Sequence, residues 1–404
     1  MKILAINPIT INHEKFHKLG HELFLLKPYG HYSDDHLYKN ITPLNEESSF
    51  EDFKAAAIKI HQEHQLDAVD LCCDQKQEWL ARIGKDLGLK SYVSHHTVEL
   101  MSDKYKTRDQ LRRAGLDPTR SITLTSVSQI REFYSQSSTG IVVKPRAGLG
   151  SRQIFQIHST QQLEAAVLDL ETEISKGSQA FGGLGYIAEE FLEGNEYSIE
   201  SFSIDGQHYP ITVTQKYKNQ ADAVEIGHAM PANISELQRS ETFTFISKVL
   251  TELGVTDGPA HSEVFLTPSG PRLVETHCRL AGDFIPALVK LAFGIDLVEL
   301  MVNKTLGLPI DQSCLVNPKN NRFSAISYGY PNKEGKITQI ENQFNSAEFA
   351  PETRLFLFAS EGHFTTLQHG SMNRLGACIS VGSSFDEALS SAKRGIQSVR
   401  FEIE

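Results

Sequence analysis

Glu263 and Glu275 are spaced so that they could share a metal ion. Each belongs to a short apolar-rich run, Glu263–Leu266 or Arg272–Glu275, and the segment Thr267–Gly270 between the runs has Pro second and Gly fourth, as a type I turn prefers. This pattern predicts an antiparallel hairpin in which Glu263 lies opposite Glu275. Directly paired strand residues have Cβ atoms about 4.5–5.5 Å apart, and like charges there destabilise the sheet.

A carboxylate pair of this kind predicts a magnesium site. Two carboxylates forced together usually have a raised pKa or share a cation. Mg²⁺ prefers carboxylate oxygens and keeps water and substrate phosphates in its other positions. Strand alternation also places His277 and Arg279 on the face of Glu275, provided that the chain stays extended. The alternative is two solvated glutamates on an exposed sheet face, with the register shifted by one residue.

The segment Ile141–Ser151 combines an apolar strand, a lysine and several glycines. Lys144 ends the predicted strand, and Gly148 and Gly150 follow in a turn that leads to a second strand. Phosphate sites use glycines so that backbone N–H groups can approach anionic oxygens, and they place a cation nearby. The segment is not a Walker A loop, because it contains neither GxxxxGKS nor GxxxxGKT. An ordinary hairpin turn is the alternative interpretation.

Acidic residues recur in the segment Ala188–Glu200, which is predicted to form a strand, a glycine turn and a second strand. These residues are Glu189, Glu193, Glu196 and Glu200. In one interpretation they are solvated charges that block pairing at a sheet edge. In the functional interpretation, one carboxylate accepts a hydrogen bond from an adenine amine and another accepts from ribose hydroxyls.

The composition is that of an ordinary globular protein, with 40% hydrophobic and 22% charged residues among 404, a length that predicts roughly two to four domains. The net charge of −11 argues against non-specific nucleic-acid binding. The five cysteines include no CxxC pair, which argues against zinc ribbons and a disulfide framework. No apolar run reaches the ~18 residues of a membrane span, and Pro8 interrupts the first run too early for a signal peptide. We therefore expect a soluble cytoplasmic protein.

Strands and helices alternate in the N-terminal part of the chain. The predicted elements are strands at Lys2–Ile6 and Leu66–Cys73, helices at Phe50–Gln65 and Trp79–Leu87, and a helix followed by a strand between His17 and Leu26. This alternation predicts an α/β fold with a Rossmann-like parallel sheet, and the lack of GxGxxG argues against a dinucleotide there. A helix over Ser102–Ala114 is expected to have Ser102 as its N-cap. The histidines His13, His17, His21, His95 and His96 are interpreted as surface or turn residues.

In their order along the chain, these segments resemble the ATP-grasp superfamily. The matching segments are Asp103–Arg108, Val143–Pro145 with Gly148–Ser151, Glu189–Ser198, His261–Glu263 and Glu275–Asp283. The resemblance covers about residues 96–310 and is closer to the carboxylate–amine ligases that include bacterial L-amino-acid ligases (dipeptide synthetases). It implies a Rossmann-like N-terminal domain at 1–95, a two-lobed ATP-grasp domain at 96–312 with a lid subdomain at about 118–192, and a C-terminal α/β domain at 313–404.

The resemblance also implies ATP as a substrate and two Mg²⁺ ions, for which Mn²⁺ can substitute. The residues that it assigns to the nucleotide are Lys104 and Lys144 for the phosphates, Gly150 and Ser151 in the loop that closes over them, Glu189, Phe191 and Leu192 for adenine, and Glu196 for ribose. It assigns Glu263 and Glu275 to the metal, in agreement with the hairpin argument. Arg279 matches the arginine that steadies the acyl phosphate, and His228 matches a histidine near the reacting carbonyl.

His277 is a departure from the family pattern. Many ATP-grasp enzymes have Asn two residues after the second magnesium glutamate, whereas this chain has His277. Imidazole is a poor partner for a hard, oxygen-seeking cation. Either water fills that coordination position or His277 faces the substrate.

The implied activity is the ATP-dependent joining of a carboxylate, expected to be an L-amino acid, to an amine, expected to be a second amino acid. The products are a dipeptide or amide, ADP and phosphate, formed through an acyl phosphate. One alternative is a carboxylase-type or purine-pathway enzyme that uses bicarbonate, and another is a non-catalytic ATP-binding regulatory protein. The expected partners are small amino-acid or carboxylate substrates, with no nucleic acid and no membrane. A homodimer is expected from the resemblance alone.

Overall fold

Helices and strands both occur throughout the computed structural model, which describes residues 1–28, 33–73, 76–148, 153–175, 184–219, 224–367 and 373–404. The helices are α1 Thr10–Lys18, α2 Phe50–His64, α3 Gln77–Asp86, α4 His95–Met101, α5 Lys104–Arg113, α6 Val127–Ser135, α7 Thr160–Ser175, α8 Glu236–Glu252, α9 Ile285–Phe293, α10 Leu297–Leu306 and α11 Phe385–Gln397. The strands are β1 Lys2–Ile6, β2 Glu22–Pro28, β3 Asn40–Leu44, β4 Ala68–Asp70, β5 Ser121–Leu124, β6 Ile141–Pro145, β7 Phe155–Ile157, β8 Tyr186–Glu190, β9 Asn195–Ile204, β10 Gln207–Lys218, β11 Glu225–Met230, β12 Gly258–Thr267, β13 Gly270–His277, β14 Phe323–Gly329, β15 Gly335–Asn342, β16 Arg354–Leu357, β17 Phe364–Thr365, β18 Gly376–Gly382 and β19 Val399–Ile403. The predicted α/β fold class is confirmed.

The N-terminal sheet has the strand order β3-β2-β1-β4, and its strands pair in parallel. Apolar residues of β1 and β2 are fully buried, including Ile3, Leu4, Leu23 and Phe24. Strands that are covered on both faces have continuous apolar sequences, and such sequences contributed to the prediction of a parallel sheet. The strand predicted before Leu26 is part of β2, but the helix predicted from His17 was wrong in position, because α1 spans Thr10–Lys18.

The small sheet has the order β5-β8-β6-β7 and is antiparallel. Helices α6 and α7 cover it, and together they form a separate apolar core that includes Ile130, Ile141, Val143, Leu170 and Tyr186. This unit lies within the range expected for a lid subdomain, about residues 118–192. Its movement as a lid stays a prediction.

The large sheet has the order β13-β12-β9-β10-β11-β14-β18-β16 among the described strands, and all its pairs are antiparallel. Helices α8, α9 and α10 contact it, and their apolar residues join the main core. The sheet continues across the domain boundary expected at 312/313, because β14 pairs with β11 and β18 pairs with β14. The division into domains stays a prediction. Within the described residues, no helix is both long enough and apolar enough to cross a membrane.

The hairpin formed by β12 and β13 has the register that the sequence predicted, with Glu263 directly opposite Glu275. Thr267 pairs with Gly270 and Val264 pairs with Leu273, so a regular ladder would place Val274 opposite Glu263. The register shifts between Glu263 and Val264 instead. A β-bulge of this type adds one residue to one strand, and here it brings the second glutamate opposite the first.

The N-cap prediction for the helix after residue 101 was wrong by one residue. Helix α5 begins at Lys104, and its N-cap is Asp103, whose carboxylate accepts hydrogen bonds from Tyr105 N at 3.0 Å and Lys106 N at 3.5 Å. Ser102 ends the preceding helix α4 as its C-cap. Asp and Ser cap helices about equally well, so the sequence alone did not distinguish them. The consequence is that Lys104 lies in the first turn of α5.

Candidate active site

One face of the large sheet carries a set of charged and polar side chains from adjacent strands. Directly paired residues point to the same face of a sheet, so the register identifies the set. Its members are Glu275 and His277 of β13, His261 and Glu263 of β12, Glu196, Ser198 and Glu200 of β9, Lys216 of β10 and His228 of β11. Of the predicted site residues, strand pairing therefore brings Glu196, His228, Glu263 and Glu275 onto one face.

Glu263 and Glu275 are each paired with a different lysine. Lys104 Nζ lies 2.9 Å from Glu275 Oε2, and Lys216 Nζ lies 2.6 Å from Glu263 Oε1. Burial alone would raise the pKa of Glu263, but Lys216 and His261 outweigh burial and hold it below the usual glutamate range. In the same way, Lys104 and His277 outweigh burial and hold the pKa of Glu275 well below its ordinary value. Both carboxylates are thus ionised, and this donor set fits a divalent cation.

Lys216 is the central cation of this face, and the sequence did not single it out. Its ammonium group lies 2.8 Å from Glu196 Oε1 and 2.6 Å from Glu225 Oε1, in addition to its contact with Glu263. Only 3% of its side chain is exposed. Burial would lower the pKa of Lys216, but the carboxylates of Glu263, Glu196 and Glu225 raise it well above its ordinary value. The feature of the sequence that could have indicated Lys216 is its position within a long strand of mostly buried residues.

A second ionic network surrounds Lys144. Its Nζ lies 2.8 Å from Glu189 Oε2, and Arg108 Nε lies 3.0 Å from Glu189 Oε1. Arg108 Nη1 also contacts Asp117 at 3.1 Å, and Asp117 accepts a hydrogen bond from Leu273 N of β13 at 2.8 Å. Burial opposes ionisation of Glu189, but Arg108 and Lys144 lower its pKa to about 2. This network connects α5, the small sheet and the hairpin formed by β12 and β13.

The predicted adenine and ribose contacts remain predictions. Glu189 already accepts from two cations, although a carboxylate has about four acceptor positions and can take a further N–H. Phe191 N donates to Gly140 O at 3.0 Å, and the Phe191 ring meets the ring of His158 edge-on at 4.3 Å. Leu192 follows Phe191 and is half-buried. Glu196, expected at the ribose, pairs with Lys216 and with Lys218 at 2.5 Å.

The start of the glycine-rich loop is fixed to the N-terminus of α5. Arg146 binds the capping residue Asp103 through Nε at 3.1 Å and Nη2 at 2.5 Å, and Lys104 N donates to Arg146 O at 2.9 Å. Lys104 Nζ lies 3.5 Å from Gly148 O. Gly150 and Ser151, predicted to close over the phosphates, lie outside the described residues. The loop therefore begins beside Lys104, one of the two lysines predicted to bind phosphate.

The residues expected near the reacting carbonyl, His228 and Arg279, lie on or just after different strands of the large sheet. His228 is buried in β11, and its Nε2 lies 3.2 Å from Asp283 Oδ2. Arg279 follows β13, and its Nη1 donates to Leu280 O at 2.6 Å. His277 Nε2 lies 3.4 Å from Glu275 Oε1, so the residue that replaces the usual Asn contacts the second glutamate. The catalytic roles of Arg279 and His228 remain predictions.

His261 adds another buried charge that sequence reasoning did not assign. Its Nδ1 lies 3.0 Å from Glu200 Oε2, and its Nε2 lies 3.4 Å from Glu263 Oε1. Burial alone would lower the pKa of His261, but Glu200 and Glu263 raise it to about 10. The ring is therefore an imidazolium at neutral pH, and it helps to keep Glu263 ionised.

Known proteins match this chain in sequence and in fold. Residues 137–287 match the model of the ATP-grasp domain. The chain is 26% identical over 240 residues to the alanine–anticapsin ligase of Bacillus subtilis (strain 168), a match that covers 55% of this chain and 50% of that ligase. It is also 26% identical over 262 residues to the L-arginine-specific L-amino acid ligase of Bacillus subtilis, and this match covers 60% of this chain and 58% of that ligase.

A solved structure extends the match to the whole chain. The L-amino acid ligase from Bacillus licheniformis superposes with a TM-score of 0.85 and 20% sequence identity, and the match covers 100% of this chain and 98% of that structure. By sequence, in contrast, the chain spans about half the length of the ligases that it matches. ATP-grasp enzymes bind ATP and Mg²⁺. The chain has the fold of these ligases, and its residues 137–287 match the ATP-grasp domain.

Proposed function

We propose that this protein is an ATP-dependent ligase that joins the carboxylate of one amino acid to the amine of a second through an acyl phosphate. The observation that carries the proposal is the pair Glu263 and Glu275, which are directly opposed, ionised and each paired with a different lysine. Phosphoryl transfer requires mainly positioning and charge neutralisation, and this face provides both. The similar proteins named above are amino acid ligases, which supports the choice of substrates.

Glu263 and Glu275 fit Mg²⁺ because both are ionised and offer the carboxylate oxygens that this cation prefers. When bound, Mg²⁺ supplies positive charge to the phosphates. We propose two ions at this pair, with Mn²⁺ able to replace them. The nearby imidazolium of His261 keeps Glu263 ionised, and His277 lies beside Glu275.

The nucleotide contacts of the proposal come from the residues around both ionic networks. They are Lys104 and Lys144 for the phosphates, the loop with Gly150 and Ser151 above them, Glu189, Phe191 and Leu192 for adenine, and Glu196 for ribose. Lys104 and Lys144 now pair with Glu275 and Glu189, and we propose that they turn to the phosphates when ATP binds. Because acyl phosphates hydrolyse, closure of the loop over the site serves to exclude water.

In the first proposed step, a carboxylate oxygen of the first amino acid attacks the γ-phosphorus of ATP. The bond from that phosphorus to the ADP oxygen breaks, giving the acyl phosphate and ADP. In the second step, the amine nitrogen attacks the carbonyl carbon, the C–N bond forms, and phosphate leaves. Arg279 holds the acyl phosphate and the tetrahedral oxyanion, a contribution of about 3–4 kcal/mol for one donor. His228 lies beside the reacting carbonyl.

We further propose that the enzyme works in the cytoplasm, where ATP and free amino acids are supplied, and that it forms a homodimer. Its only partners in the reaction are small molecules. Sedimentation equilibrium tests the dimer, and a monomer mass at all concentrations would contradict it.

The experiment that tests the function is phosphate release from ATP and Mg²⁺ with all pairs of the common amino acids, with and without bicarbonate. We expect release only with particular pairs, together with a product of dipeptide mass. Glu275→Gln should abolish release, whereas Glu236→Gln, on a side chain that is 75% exposed, should leave it unchanged. Turnover that depends on bicarbonate would contradict the proposal and indicate a carboxylase. ATP binding without turnover would contradict it and indicate a regulatory protein.

A further inference from the structure

Asp283 and Phe284 form a strained corner shortly after the hairpin of β12 and β13. Their φ angles are +55° and +60°, in the left-handed region that non-glycine residues seldom adopt. Such conformations persist only where the surrounding structure holds them, and they cluster at functional sites. Two of them in succession indicate that the direction of the Asp283 side chain is set by its contacts rather than by local preference.

Arg374 is the residue that holds Asp283. Its Nη1 lies 2.5 Å from Asp283 Oδ1 and its Nη2 lies 2.7 Å from Asp283 Oδ2, a bidentate arrangement. The guanidinium also stacks 3.6 Å above the ring of Tyr328, and Nε donates to the hydroxyl of Tyr330 at 2.9 Å. Tyr328 in turn donates to Asp283 O at 2.9 Å. Arg374 therefore fixes both the position and the plane of the Asp283 carboxylate.

The carboxylate fixed in this way contacts His228. Asp283 Oδ2 lies 3.2 Å from His228 Nε2, and the nearest other carboxylate, that of Glu225, is 3.6 Å from the same nitrogen. An ionised carboxylate only accepts hydrogen bonds, so it favours the form of His228 with a proton on Nε2. The other ring nitrogen, Nδ1, is buried and has no hydrogen-bond partner among the described residues. Nε2 therefore faces Asp283, and Nδ1 is the ring nitrogen left without a protein partner among the described residues.

We propose that Asp283, held by Arg374, is a positioning residue that orients His228 for the amide-forming step. This rests on the proposed function, because it takes His228 to act at the reacting carbonyl. As the amine nitrogen bonds to the carbonyl carbon, that nitrogen loses a proton to His228 Nδ1. The C–O bond to phosphate breaks, and the proton then passes from the imidazolium to the departing phosphate. Neither Asp283 nor Arg374 contacts the reacting atoms.

Because His228 is assigned to the second step only, the rates of acyl-phosphate formation and of dipeptide formation should respond differently to its loss of orientation. Formation of the acyl phosphate precedes it and can be followed with hydroxylamine, which traps the intermediate as a hydroxamate. Asp283→Asn should lower the kcat of dipeptide formation by about 10- to 100-fold, the usual effect of removing a carboxylate that orients a functional histidine. Hydroxamate formation should fall less than twofold. Arg374→Lys should lower the rate of dipeptide formation less than Asp283→Asn does, because lysine keeps the positive charge and loses only the bidentate hydrogen bonding to Asp283.

The controls use an ion pair of the same C-terminal region that is remote from His228. Arg322 and Glu352 are 2.5 Å apart and more than one-third exposed, and Arg322→Lys should change neither rate. The double variant Asp283→Asn/Arg374→Lys should be no slower than Asp283→Asn alone, because both act through one carboxylate. Equal loss of both activities in Asp283→Asn would show a merely structural role and overturn the proposal.

An independent readout does not require turnover. Nitrogen NMR of the histidine rings should show that Asp283→Asn shifts the two ring-nitrogen signals of His228, identified by their loss in His228→Gln, and that Arg322→Lys leaves them in place. Unchanged His228 signals in Asp283→Asn would refute the positioning role. Wild-type protein that forms neither hydroxamate nor dipeptide, yet shows the NMR shift, would overturn the proposed function while keeping the Asp283–His228 contact.

Discussion

Replacing Lys216 by Met removes the central cation of the site and should strongly destabilise the fold. The ammonium group lies within 2.8 Å of carboxylate oxygens of Glu196, Glu225 and Glu263, whose side chains are only 12–22% exposed. Removing one partner of a buried ionic cluster leaves uncompensated charge, which costs about 3–5 kcal/mol. Lys218 still pairs with Glu196 and His261 with Glu263, so we expect the lower part of that range.

The assay is urea-induced unfolding at neutral pH in the presence of a chelator. The matched control is Lys18→Met, because Lys18 pairs with Glu14 at 2.8 Å but the two side chains are 73% and 45% exposed, so that its loss should cost no more than about 1 kcal/mol. Adding Glu225→Gln to Lys216→Met should restore about 1–2 kcal/mol, because it removes one of the unpaired charges. Equal stability of the two lysine variants, or simple additivity in the double variant, would refute this reasoning.

Further predictions concern the second network and the hairpin. Arg108→Met should lower the free energy of unfolding by about 3–5 kcal/mol because Glu189 and Asp117 lose a buried partner, whereas Arg131→Met, at an exposed pair, should cost less than about 1 kcal/mol; denaturant titrations of both variants check this. The pKa of Glu189 is lowered from 4.5 to about 2, so its contribution of about 3 kcal/mol is present above pH 4.5 and is lost as the pH falls towards 2. Between pH 4.5 and pH 2, the free energy of unfolding should therefore fall less in Glu189→Gln than in the wild type. Gly194→Ala should destabilise by more than about 1 kcal/mol, because a Cβ there would lie 2.3 Å from Leu266 O. Gly20→Ala, at a φ of +78° but with no atom within 4 Å of the added Cβ, should cost less in the same denaturant assay.

The hairpin was predictable because its determinants are local. Two apolar runs and a Pro-Gly turn define a two-stranded unit without reference to the rest of the chain. The opposition of Glu263 and Glu275 nevertheless depends on a bulge at Val274, which the residue pattern does not encode. The alternative with the register shifted by one residue was a real competitor, since a regular ladder would have produced it.

The cations of the site were harder to predict because their partners are distant in the chain. Lys216 meets Glu263, and Arg374 meets Asp283 some ninety residues earlier in the sequence, only after the large sheet has assembled. The expectation that His13 is a surface or turn residue was wrong. It is fully buried, 3.2 Å from Asp70 Oδ2 and 2.6 Å from the Tyr38 hydroxyl. Buried polar pairs of this kind depend on tertiary contacts that periodicity does not report.

The central claim is that a carboxylate becomes an acyl phosphate before the amide bond forms. The most direct test is to supply the first amino acid with oxygen-18 in its carboxylate and to analyse the released phosphate by mass spectrometry. Transfer of the carboxylate oxygen to phosphorus is obligatory in the proposed route, so each phosphate released with a dipeptide should carry one heavy oxygen. Unlabelled phosphate accompanying a labelled dipeptide would contradict the acyl-phosphate mechanism.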